Sequence, residues 1–76
     1  MKDLETVIAE TFNVRESDVT DSMEMKSVDL WDSLTHMELI ANLECEYDIE
    51  FTADEIMEMI TVEKIRKILG AKINGN

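Results

Sequence analysis

Apolar residues recur along most of the chain at the three- and four-residue spacing of helices that bury one face. Leu4, Val7, Ile8 and Phe12 form the first such stripe. Asp3 and Glu5 stand at its start, where the positive end of a helix dipole favours acids. Asn13 offers a left-handed stop, after which Val14 can fold back onto the helix. A second stripe of Leu39, Ile40, Leu43 and Tyr47, extended by His36 or Met37, predicts a helix capped by Asp32 and running to about Tyr47. Thr52-Ala53-Asp54-Glu55 reads as a capping box that opens a short third helix with Ile56, Met59 and Ile60 inward. Thr61 is placed to cap a fourth helix, with Val62, Ile65, Ile68 and Leu69 inward and Gly70 at its C-terminal stop. Residues 71–76 are expected to fray.

Residues 14–31 separate the first two stripes. Their Ser, Asp and Thr residues favour turns, yet the segment also carries Val19, Met23, Met25, Val28, Leu30 and Trp31. A connection so apolar is expected to lie on the helices rather than in solvent. Tyr47-Asp48-Ile49-Glu50-Phe51 is the nearest approach to strand-like alternation, and it is short. The pattern therefore predicts an all-α fold: a four-helix bundle with a long loop after the first helix and a short third helix. It reads as one domain over 1–76, with 1–70 folded, and beginning at Met1 with almost no linker it is expected to stand alone.

Composition narrows the function. A chain of 76 residues buries only about 60% of its unfolded surface. It has little room for a large substrate pocket, which favours a module that works with partners. Eighteen acidic residues against seven basic ones give a formal net charge of −11. Nucleic-acid binding needs the opposite sign, anionic lipid surfaces repel such a chain, and basic docking patches attract it. The single Cys45 excludes an intramolecular disulfide. With one histidine, His36, it cannot supply the four ligands of a structural zinc site. Cysteine usage points to a cytoplasmic protein. The N-terminal residues lack the make-up of a signal peptide, and no apolar run approaches the ~20 residues of a membrane span. A soluble monomer is expected.

Ser33 is the residue with the most chemistry within reach. It follows a carboxylate cap as the first residue of the second helix, beside free backbone N–H groups and the positive end of the dipole. That position suits a phosphodiester. Serine beside a cap is also the commonest start signal of a helix, so the position alone is suggestive only. Ser33 and His36, three apart, could form a nucleophile with its base, but Trp31-Asp32-Ser33-Leu34-Thr35 lacks the glycines of a nucleophile elbow and an orienting third group. The acidic run from Asp48 to Asp54 fails as a calcium loop because Ala53 and Met59 replace the required glycine and glutamate. Cys45 and most of the six methionines read as core filler. Met37, Met57 and Met59 have a second reading, as the lining of a soft cleft for an acyl chain.

Leu30-Trp31-Asp32-Ser33-Leu34, with Met37-Glu38-Leu39-Ile40 and Leu43-Glu44-Cys45-Glu46-Tyr47, resembles the acyl carrier protein family. The likeness extends over most of the chain, from the N-terminal helix and long loop to the acidic second helix and two short helices beyond it. It implies that Ser33 receives 4′-phosphopantetheine from coenzyme A through a separate, magnesium-dependent phosphopantetheinyl transferase. Acyl or aminoacyl groups would then ride on the arm as thioesters between partner enzymes, and the chain itself would not be an enzyme. Asp32 and Leu34 flank the attachment point. Leu34, Met37 and Trp31 would supply apolar contact to partners, and Glu38 and Glu44 would meet their basic side chains; Trp31 reads equally as a core plug. Leu30 and Trp31 stand where many fatty-acid carriers have a glycine and a small residue. They turn the expectation from fatty acid biosynthesis toward polyketide, peptide or polysaccharide pathways. The competing reading is an acidic helical interaction module without a prosthetic group.

Overall fold

The computed structural model describes residues 2–74. Among these residues the chain forms α1 (Leu4–Phe12), α2 (Ser33–Tyr47), α3 (Ala53–Glu58) and α4 (Val62–Asn74), with 3₁₀ turns at Glu16–Asp18 and Met25–Ser27 in the long connection. No strand occurs among them; one isolated antiparallel bridge joins Glu24 to Thr61. The radius of gyration, 11.3 Å, is that of a compact chain of this length, about 11.4 Å. No helix among the described residues is long and apolar enough to cross a membrane.

The helices end where local chemistry ends them. Asn13 takes the left-handed conformation at φ 59°, and the Val14 amide returns to the Ala9 carbonyl at 3.0 Å. Asp48 does the same after α2, at φ 55°. Thr52 and Glu55 complete the capping box in both directions, at 3.2 and 2.8 Å. The Lys64 amide donates to the Thr61 hydroxyl at 3.1 Å, so Thr61 caps α4 as expected. Gly70 does not stop α4. It has no positive φ, and the helix runs through it to Asn74. The tail expected to fray is therefore helical over 71–74, while Gly75 and Asn76 lie outside the described residues.

One core collects the inward stripes: Leu4, Val7, Ile8 and Phe12 from α1, Leu39, Ile40 and Leu43 from α2, Met59 after α3, and Val62, Ile65 and Leu69 from α4. Tyr47, Ile56 and Ile68 pack against it half-buried, and Ile60, expected inward, is exposed. At the far end of α2, the Tyr47 hydroxyl donates to the Lys2 carbonyl, tying the helix to the chain start.

The long loop is laid on the bundle. Val19 and Trp31 are buried and Met23, Met25 and Val28 half-buried, whereas Leu30 is exposed. Its backbone closes the start of α4: the Val62 and Glu63 amides donate to the Met23 and Asp21 carbonyls, and the Met25 amide donates to the Ile60 carbonyl at 2.9 Å. The Val62 and Glu63 bonds satisfy N–H groups that a helix start otherwise leaves open. Arg66 of α4 reaches both Glu5 of α1 and Asp21 of the loop, so three parts of the chain meet at one guanidinium.

Candidate functional site

α2 begins at Ser33 because Asp32 caps it. The Asp32 backbone is extended, its carboxylate accepts the Thr35 amide at 2.9 Å, and its carbonyl accepts the His36 amide at 2.8 Å. The Thr35 amide is the main reason that the Asp32 carboxyl is held below its ordinary pKa. The capping group is thus ionised at neutral pH.

Ser33 is exposed. Neither its hydroxyl nor its amide has a hydrogen-bond partner among the described residues. This contrasts with the start of α4, where loop carbonyls and Thr61 occupy the first amides. The first turn of the 15-residue α2 therefore presents a free hydroxyl and a free N–H at the positive end of the helix dipole. A phosphodiester attached to the hydroxyl fits this place without displacing any bond of the fold.

The neighbours of Ser33 divide into a surface set and a core set. Leu34 and Met37 are 73% and 51% exposed, and they lie three apart, on one face of α2. Met57 of α3 is 74% exposed. Met37 and Met57 therefore lie at the surface, and of the three only Met59 is core filling, fully buried. Glu38 is exposed on the same helix, whereas Glu44 is half-buried and accepts the Phe51 amide at 2.8 Å. Glu44 thus holds the turn after α2 with one of its carboxylate oxygens. Cys45 is exposed, not a core filler.

Trp31, read from sequence as a partner contact or a core plug, is a plug. It is 2% exposed, and its ring lies 5.2 Å from that of Phe12, tilted by 52°. Its indole N–H donates to His36 Nδ1 at 2.9 Å. Nδ1 must therefore carry no proton, and the opposite nitrogen, Nε2, donates to the Ile56 carbonyl at 2.9 Å. His36 is 7% exposed, with both nitrogens committed to the core. It cannot serve Ser33 as a base, which removes the hydrolase reading. Among the described residues no group of three or more His, Cys, Asp or Glu is disposed to hold a metal ion.

Comparison with known proteins bears on this geometry. The sequence model of the phosphopantetheine attachment site family matches residues 2–69. The chain belongs to that family. Among solved structures, the solution NMR structure of holo acyl carrier protein from Geobacter metallireducens superposes with a TM-score of 0.82 at 28% sequence identity, over 92% of this chain and 80% of that one. A search of curated proteins finds no match. The protein is a carrier of the phosphopantetheine attachment type with an acyl-carrier-like, all-α fold. Such carriers are not catalysts: they hold a covalent 4′-phosphopantetheine that partner enzymes use. Family membership decides against an interaction module without a prosthetic group.

Proposed function

We propose that Ser33 is the attachment point of 4′-phosphopantetheine and that the chain presents acyl or aminoacyl groups from that position to partner enzymes in the cytoplasm. The observation that carries this reading is the free Ser33 hydroxyl at the open start of α2, directly behind a capping carboxylate. When attached, the arm offers a terminal thiol that holds the carried group as a thioester. In the attachment step the Ser33 oxygen bonds to the β-phosphorus of coenzyme A, its proton passes to the transferase, and adenosine 3′,5′-bisphosphate leaves. The chain's own residues hold the hydroxyl in place: Asp32 fixes the first turn of α2 through Thr35, and Trp31, just before Asp32, is anchored in the core. Exposed Leu34 and Met37 offer apolar contact to a transferase or acyl-handling enzyme. Glu38 and the net charge of −11 favour partners with basic docking patches. The departure of Leu30-Trp31 from the residues common in fatty-acid carriers supports a specialised pathway.

Incubation with coenzyme A and a broad-specificity phosphopantetheinyl transferase tests the reading. The intact mass is expected to rise by about 340 Da, the size of the arm as a covalent modification, and Ser33→Ala is expected to abolish the gain. A gain that survives the substitution would overturn it.

A further inference from the structure

We propose that Trp31 and His36 bolt the seam between α2 and α3 shut, so that the carried group stays outside the bundle. This rests on attachment of the arm at Ser33. The two buried side chains nearest Ser33 along the chain are these two. Trp31 precedes Ser33 by two residues, and His36 follows it by three, about 4.5 Å along the helix axis.

The two rings do more than fill space. The indole N–H binds His36 Nδ1, and His36 Nε2 binds the Ile56 carbonyl on α3, each at 2.9 Å. The chain of bonds runs from the loop, through α2, to α3. Phe12 of α1 closes over the indole. In the same core as Trp31, Leu39, Ile40 and Met59 are at most 2% exposed. No buried side-chain polar atom among the described residues lacks a partner.

An apolar chain entering here would have to expel the indole or part α2 from α3. Either movement leaves an indole N–H, an imidazole nitrogen or the Ile56 carbonyl unpaired in a water-poor interior, a cost that a purely aliphatic seam does not impose. Short or polar groups, which gain little from burial, lose nothing by remaining outside. The geometry thus points to a carrier of short acyl or aminoacyl groups rather than of long aliphatic ones.

The test compares the carrier bearing an acetyl-loaded arm with the carrier bearing an octanoyl-loaded arm. Intact mass confirms each loading, so a failure of attachment is told apart from a response of the core. Methyl resonances of Leu39, Ile40 and Val62, and the fluorescence of Trp31, the single tryptophan, are then read in both. They are expected to coincide. Displacement of these core signals by octanoyl but not acetyl would overturn the proposal. In Trp31→Ala, or in Trp31→Leu where the alanine variant does not fold, octanoyl is expected to shift the same methyls relative to acetyl. A folded variant of either kind with a core indifferent to chain length would overturn the role given to Trp31.

Discussion

His36 shows how a single residue can change meaning between sequence and fold. By spacing it belongs to the inward stripe of α2, yet its distance of three from Ser33 also permits a catalytic pairing. The structure settles the matter through both ring nitrogens: one accepts from Trp31 and the other donates to a carbonyl twenty residues away. A buried acceptor left without its donor costs about 1–3 kcal/mol. Trp31→Phe keeps an aromatic plug but removes the N–H, so it is expected to destabilise the fold by that order. His36→Ala removes the acceptor, and the pair is expected to be coupled by about 1 kcal/mol in a double-mutant cycle. Urea unfolding of the two single variants and the double variant measures the coupling, and strictly additive losses would contradict the hydrogen bond. Capping by Asp32 was legible in the sequence because it is local, a side chain bonding an amide three residues on. The Trp31–His36–Ile56 chain was not, because its last link depends on where α3 lies.

At the scale of elements, four helices and their caps could be read from spacing and end signals, while two features could not. The first is Gly70. Glycine after an apolar stripe ordinarily marks a stop, but α4 continues through it for another turn, where Lys72 pairs with Glu55 of α3 at 2.9 Å. Tertiary contact beyond the glycine outweighs its weak helix propensity. A Cβ built at Gly70 meets nothing within 4 Å, and the backbone there needs no positive φ. Gly70→Ala is therefore expected to stabilise the protein by about 0.5–1 kcal/mol, chiefly by restricting the unfolded chain. Thermal or urea unfolding checks this, and a loss of stability would mean that residue 70 does end the helix. The second feature is the loop. Its apolar residues announced that it would be buried in part, but its carbonyls also take up the first amides of α4. That is a contact between residues some forty apart, and no local pattern carries it. The same distinction separates the two long helix starts: the loop closes that of α4, and among the described residues no hydrogen bond takes up the Ser33 hydroxyl or amide at that of α2.

For the whole molecule, the excess of acid sets how stability responds to pH. Arg66 gathers Glu5 and Asp21 at the surface, and its hydrogen bond is the main cause that holds the Glu5 carboxyl below its ordinary pKa. A carboxyl whose pKa is lowered by folding contributes stability that is fully present above its unfolded pKa. That contribution is lost as pH falls through the lowered value. The groups are 35–56% exposed, so solvent screening limits the contribution to about 0.5 kcal/mol per pair. The stability difference between wild type and Arg66→Gln is expected to be largest near neutral pH and to vanish below the carboxylate range. A difference independent of pH would show that Arg66 acts through packing alone. The net charge also agrees with the larger account, in which chemistry resides in partners and this chain supplies an anchor, a rigid bundle and an acidic surface. Ser17, Ser22, Ser27 and Ser33 are its four serines. Ser22 bonds Thr20, and Ser27 bonds Glu24. Only Ser33 among them opens an α-helix. Tandem mass spectrometry of a digest of the coenzyme A-treated protein tests the anchor directly. The arm is expected on the peptide containing Ser33; an arm on any other residue, or none at all, would contradict attachment there.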